Sequence, residues 1–274
     1  MRMIEIIGVE EKFIFTRISK ETIAGTTLKN AGNFYPKTND AAFESSNKIL
    51  KMIGYDIDYL NKRRLIMINK ADTKPEIIFL KKPEVKTKLL FYEGIIFRGI
   101  GALMFFPGGC PGIVFRDDDA DLSGLFHGGW RIITQGIIEQ FIKQWETCGG
   151  KWATTRIKIL PGICVDCLTF DQDYFSNIVW PALKPIIPDK LDRDKIVKKI
   201  SEKIGLNLIT IIDYLITKKG YHVSSITLCT CHIKNFWCYR CDDKKEKKYR
   251  NGVFLVTAPI SSNINPSTIN QFSF

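Results

Sequence analysis

The sequence predicts an α+β fold, with mixed β-sheets flanked by helices in one domain spanning residues 1–274. Three observations carry this. Several short runs, ALMFF (102–106) and GIVF (112–115) among them, are apolar throughout, as strands buried on both faces are. One helix, after HGGW, is strongly periodic. Strands and helices mix without strict alternation, and no repeat, low-complexity stretch or Pro/Gly/Ser-rich linker divides the chain.

In chain order, KFIFTRIS (12–19) alternates as a strand does. Asn39 or Asp40 caps a helix running to about Ile53, with Gly54 as its stop. RLIMIN (64–69) and EIIFL (76–80) read as strands. GIVF and a second short strand ending at His127 are joined by the acidic turn RDDDAD (116–121). The helix from about Arg131 to Trp145 has Ile133, Ile137, Phe141 and Trp145 at four-residue intervals, and Gly149 and Gly150 end it. ATTRIKIL (153–160) is a strand. Helices follow near 192–204 and 207–218, each closed by a glycine, Gly205 and Gly220. SSITLCT, FWCYR and GVFLVTA supply late strands.

With 274 residues, 45% apolar and 12% aromatic, the chain buries a sizeable core. Charges interrupt every apolar run before membrane length, so no membrane partner is expected. The start, MRMIEIIGVEEK, turns acidic before a secretory apolar region develops, and a cytoplasmic location is expected. The net charge of +11 is spread along the chain, and its densest run, DDKKEKKYR (242–250), carries acids and reads as a solvated hairpin tip. Anion attraction fits this distribution better than a nucleic-acid partner does.

Eight cysteines without an export signal favour thiols or metal ligands over disulfides. Cys164-x-x-Cys167 and Cys238-x-x-Cys241 have zinc-site spacing, with Cys229-x-Cys231 between them. The separation of the two CxxC pairs, about seventy residues, exceeds a finger or ribbon loop, which favours buried free thiols over a four-cysteine site. His222 and His232 read as surface or packing residues at strand edges, although His232 adjoins Cys231 and would join any zinc site built there.

Chemistry concentrates in PGGCPGIVFRDDDADLSGLFHGGWR (107–131), where Cys110 and His127 lie seventeen positions apart among glycines. Such a pair is a set of metal ligands, a nucleophile with its base, or an incidental turn pair. Arg131 starts a helix whose free N–H groups suit an anion such as phosphate. Asp117, Asp118, Asp119 and Asp121 read as turn residues, and Trp130 and Trp145 as core.

The ordered motifs resemble those of the laccase-domain family, first described as multicopper polyphenol oxidases and now regarded as purine nucleoside phosphorylases with adenosine deaminase activity. HGGWR (127–131) is similar to that family's HAGWRG element, and PGGCPGIVF (107–115) to its ADC-x-P strand. FTR (15–17), TLKNAG (27–32), SNK (46–48), KILPGI (158–163) and CTC…FWCYR (229–240) resemble further motifs in the same order. The resemblance implies a zinc ion held by Cys110, His127 and a preceding histidine. Asn69 stands at that histidine's place, and no histidine occurs before residue 127, so the implied zinc site is incomplete. An Asn carbonyl suits harder cations than zinc.

What the resemblance implies is phosphorolysis of adenosine or inosine, with inorganic phosphate as co-substrate and possible deamination of adenosine. Cys110, His127 and Arg131 are then the catalytic candidates. Arg17, Lys48 and Arg240 would bind phosphate or substrate, and Asn30 or Asn47 the ribose hydroxyls. Two alternatives stand beside this: a Cys–His amidase or deamidase, and a degenerate nucleoside- or phosphate-binding or interaction protein.

Overall fold

A computed structural model describes residues 6–9, 12–34, 39–55, 60, 64–67, 75–81, 88–90, 92–187, 193–242 and 249–258. The chain opens with a meander, β1 (Ile6–Val9), β2 (Phe13–Ser19) and β3 (Thr22–Thr27), followed by helix α1 (Asn39–Met52). Then come β4 (Arg64–Met67), β5 (Ile77–Leu80), β6 (Lys88–Leu90), β7 (Gly94–Arg98), β8 (Gly101–Phe105), β9 (Gly112–Asp117) and β10 (Leu122–His127). Helices α2 (Trp130–Thr134) and α3 (Ile137–Thr147) precede β11 (Thr155–Ile159) and β12 (Thr169–Asp171). A helical run over 172–183 leads towards the hairpin β13 (Val197–Ile200) and β14 (Lys203–Leu206). The described chain ends with α4 (Leu208–Thr217), β15 (Val223–Ser225) and β16 (Val253–Thr257).

These elements form an α+β fold of two main mixed sheets and one small sheet. The first is ordered β1-β2-β3-β16-β8-β4-β6, the second β15-β11-β9-β10-β7-β5, and the third β12-β14-β13. The apolar runs are explained by what lies on each face. Leu103 and Phe105 of β8 join Val114, Leu125 and Leu255 in a layer between the two large sheets. Ala102 and Met104 of the same strand face the other way, onto Ile49 and Leu50 of α1. Ile113 and Phe115 of β9 likewise turn from that layer toward Phe141 and Trp145 of α3 and Ile211 and Leu215 of α4. A strand sandwiched this way has no polar face, which is why alternation disappears from its sequence.

Several sequence expectations change. The helix foreseen from Arg131 to Trp145 is two helices, because Gly136 sits at φ +82°, a left-handed conformation that ends α2 and redirects α3. The helix foreseen over 192–204 is only a turn, Arg193–Ile196, followed by the β13–β14 hairpin. Ile196, Val197, Ile200 and Ile204 mimic helical spacing, but Ser201 at φ +53° reverses the chain, and pairing with β12 satisfies the edge of β14. FWCYR is not a strand. It lies in turns, where the Asn251 side chain accepts from Trp237 N at 2.8 Å and donates to Trp237 O at 2.6 Å. Of SSITLCT the first two residues pair within β15, and Cys229 adds an isolated bridge to Gly162. The expected hairpin tip over 242–250 lies mostly outside the described residues. Among the described residues, no helix is long and apolar enough to cross a membrane.

Candidate active-site cleft and cysteine cluster

The β9–β10 pairing sets His127 opposite Gly112, and Gly128 N donates to Pro111 O at 2.9 Å, so Cys110 and His127 meet at one end of the second sheet. β7, the other neighbour of β10, brings a third residue. His127 N donates to Glu93 O at 2.9 Å, and the ring Nδ1 lies 2.8 Å from Glu93 Oε2. Cys110, His127 and Glu93 therefore form a connected chain, with both members of the His–Glu pair nearly buried (12% and 6% exposed). Burial alone would lower the His127 pKa. The hydrogen bond and charge of the Cys110 sulfur, and then those of Glu93, outweigh it and push the imidazole up to about 10. Gly129 leaves room for the ring, since a β-carbon there would stand 2.9 Å from Nε2. Phe105 walls the imidazole at 5.7 Å between ring centres.

Glu93 has no sequence signature. It is one acid before an apolar strand, and only the β7–β10 pairing makes it a partner of His127.

Just beyond His127, α2 carries Trp130 and Arg131 into a cavity of about 280 Å³, lined also by Phe170, Tyr174, Lys203 and Arg240. The Arg131 guanidinium lies 3.4 Å from Tyr174 Oη and 5.4 Å from the Trp130 ring centre. Arg240 sits 4.7 Å above the Phe170 ring and donates to Thr169 O at 2.6 Å. Trp130, foreseen as core, is a half-buried cavity wall, whereas Trp145 is fully buried.

The remaining candidates scatter. Lys48, exposed on α1, stands 5.6 Å from the Phe34 ring, which stacks on Phe106 at the start of the segment leading to Cys110. Asn30 is exposed in the turn Lys29–Ala31, and Asn47 is half-buried on α1. Arg17 does not join the group. It pairs with Ile23, which lies opposite Val256 and hence level with Ala102, whereas the cleft end of β8 is Phe105. Arg17 instead lines a separate groove of about 940 Å³ with Asp118, Arg156 and His222. Asn69 lies outside the described residues.

Among the described residues, no third Cys, His, Asp or Glu, Glu93 included, places a donor atom within 4.8 Å of both the Cys110 and the His127 donors. One thiol and one imidazole fall short of the three protein ligands of a catalytic zinc. No step below therefore runs through a metal at this centre.

A Cys/His group that could hold a metal ion lies elsewhere: Cys164, Cys167, Cys229 and His232, with all ligand atoms within 4.8 Å of one another. Sequence spacing pairs one CxxC with the other. The structure instead gives Cys164 and Cys167 the partners Cys229 and His232, so His232 is more than a surface or packing residue. Cys231 and Cys241 form a disulfide, contrary to the expectation of thiols or metal ligands, and Cys238 is a buried free thiol. Burial and then the Cys229 sulfur push the Cys164 and Cys167 thiols up. Burial also opposes ionisation of Cys229, but N–H donors from His232, Cys164 and Cys231 hold it below its ordinary value.

The family described as multi-copper polyphenol oxidoreductase laccase matches residues 99–255, more than half of the chain. The chain belongs to that family. Its fold is similar to that of YlmD from Geobacillus stearothermophilus (TM-score 0.75, 17% identity, covering 93% of this chain and 99% of that one). It is also similar to hypothetical protein YfiH of Bacillus licheniformis (TM-score 0.73, 19% identity, covering 90% and 97%). No curated protein matches the chain.

Proposed function

We propose that the cleft cleaves purine nucleosides by phosphorolysis, with inorganic phosphate displacing the base from the anomeric carbon of ribose. The observation that carries this reading is the cavity at α2, which begins three residues after His127: two guanidiniums and Lys203 outnumber the one acid, Asp171, around a space walled by three aromatic rings. Guanidiniums hold phosphate oxygens in bidentate fashion, and aromatic faces accept a flat base. Arg131 and Arg240 hold the phosphate, and Trp130, Phe170 or Tyr174 stacks on the purine. As the glycosidic bond breaks, the base leaves with the bonding pair and takes a proton from His127. His127 regains a proton from the attacking phosphate as the new C–O bond forms. Glu93 keeps the imidazole oriented and charged. Adenosine and inosine are the substrates that family membership supports.

The test is incubation of the full chain with inosine or adenosine, with and without phosphate, reading free base and ribose 1-phosphate. Phosphate-dependent base release is expected, and Arg240→Ala should reduce it. Inosine accumulating from adenosine would report deamination. Nucleoside binding by calorimetry with no base release would replace the proposal with a binding role.

One observation favours a second reading. A thiol, an imidazole and an orienting carboxylate in series is also the arrangement of a cysteine hydrolase or deamidase. Selective iodoacetamide labelling of Cys110 at neutral pH, abolished in Glu93→Ala, would support it over phosphorolysis. Labelling that simply follows exposure across the thiols would reject it.

A further inference from the structure

Outside the cleft, two turns are built alike and face each other. In the first, after β11, Cys167 N and Leu168 N donate to Cys164 O at 3.1 and 2.9 Å, folding Cys164-x-x-Cys167 into a knuckle. In the second, Ile233 N donates to Cys229 O at 3.1 Å, which folds His232 back beside Cys229 with the same two-residue spacing. An isolated bridge between Gly162 and Cys229, with Gly162 N to Leu228 O at 3.3 Å and Thr230 N to Gly162 O at 3.2 Å, holds the turns side by side. The sixty-odd residues between the turns are no obstacle, because β12 to β15 form folded structure that returns the chain to the same place.

The two sulfur–nitrogen distances are those across a tetrahedral ion. Zn–S of about 2.3 Å and Zn–N of about 2.0–2.1 Å at a tetrahedral angle put sulfur and nitrogen about 3.6 Å apart. His232 Nδ1 lies 3.6 Å from Cys164 Sγ, and Nε2 lies 3.5 Å from Cys167 Sγ, so rotation of this exposed ring offers one nitrogen. Amide N–H groups of Cys164 and Cys231 point at Cys229 Sγ at 3.3 and 3.4 Å, the support a metal-bound thiolate receives from its knuckle. The neighbouring sulfurs of Cys231 and Cys241 are bonded to each other, leaving four donors and a closed set.

We propose that Cys164, Cys167, Cys229 and His232 form a structural zinc site, separate from the Cys110–His127 centre. A closed set of four donors has no open position for substrate, so its role is to fasten the turn after β11 to the segment 229–242. That segment carries Arg240, whose guanidinium reaches Thr169 O, two residues past Cys167. The ion thereby fixes one wall of the cavity. Binding releases the thiol protons to solvent.

The test uses the full chain purified without added metal under a thiol-free reductant. Elemental analysis should find one zinc per chain, retained in Cys110→Ala and lost in Cys167→Ser. After chelation, cobalt titration of the wild type should give intense thiolate-to-cobalt charge-transfer bands and tetrahedral ligand-field bands. His232→Ala, altering only an exposed ring, should weaken cobalt binding about a hundredfold or more. This readout is independent of nucleoside cleavage, so either idea can fail alone. The proposal is overturned if zinc is absent, if copper takes its place, if Cys110→Ala removes the metal while Cys167→Ser keeps it, or if peptide mapping finds Cys167 in a disulfide with Cys231 or Cys241.

Discussion

Glu93 is the residue on which the cleft turns. Its carboxylate holds Nδ1 of His127 and, after the Cys110 sulfur, helps to keep the ring charged. Glu93→Gln keeps the shape but removes the charge, so base release should fall about a hundredfold, within the range general acid–base groups contribute. Unchanged circular dichroism alongside unchanged turnover would remove Glu93 from the machinery. The meeting of Cys110 with His127, and Arg131 at a helix start, were legible in the sequence because glycines and the helix start mark them. Glu93 was not, since a strand neighbour leaves no spacing signal. Asp117 shows the same at a structural position: foreseen as a turn residue, it is fully buried. Its oxygens accept from the backbone N–H groups of Asp119, Ala120 and Lys151 and from the hydroxyls of Thr154 and Thr155. Burial would raise this carboxyl, but the donors outweigh it and hold it below the usual carboxylate range. Its stabilising contribution is therefore fully present above the unfolded-state value, about 3.9, and is lost as pH falls through the lower folded value. Asp117→Ala should cost about 3–5 kcal/mol in urea unfolding at neutral pH, and the wild-type advantage over this variant should shrink only below about pH 4.

At the scale of elements, the hairpin β13–β14 shows where periodicity misleads. Ile196, Val197, Ile200 and Ile204 fit a helix stripe, yet only Ile196 ends a helical turn; the chain reverses at Ser201, and the other three are half-buried on the hairpin. The choice is made by β12, a three-residue partner contributed from more than thirty residues upstream, which no local window contains. Gly205, foreseen as a helix stop, is needed for a different reason. A β-carbon there would stand 2.2 Å from Val165 O, inside the cysteine knuckle. That contact is with backbone and cannot be relieved by a rotamer change. Gly205→Ala should therefore destabilise the protein by about 1–3 kcal/mol. It should also weaken retention of the proposed zinc, because the displaced residue lies between Cys164 and Cys167. Thermal melts with and without chelator read both effects, and an unaltered melt would show that the sheet gives way freely. α3 was legible for the opposite reason: Ile137, Phe141 and Trp145 are all buried on one face, so local pattern and tertiary packing agree.

The whole molecule has two ends, and register decides what each can do. β8 and β16 pair Phe105 with Val253 near the cleft and Gly101 with Thr257 at the far end. The order of motifs along the chain was enough to reveal the family, but not how far apart two motifs stand once sheets pair them. The resemblance groups Arg17 with Lys48 and Arg240 as phosphate or substrate binders, yet Arg17 lies toward the far end, in the groove with Asp118 and Arg156. The separation along β8 from the level of Ala102 to Phe105 is three residues, about 10 Å at the usual strand rise. A side chain further out on β2 does not bridge that distance to reach the phosphate proposed at Arg240. Arg17→Ala should accordingly leave the KM for phosphate within about twofold of wild type, whereas Arg240→Ala should raise it about tenfold or more, a loss of one charge-assisted hydrogen-bonding group. Steady-state base release at varied phosphate, run on both variants at constant ionic strength, separates the ends. If Arg17→Ala raised that KM and Arg240→Ala did not, the phosphate would belong to the far groove, and the cavity beside His127 would lose its assigned anion.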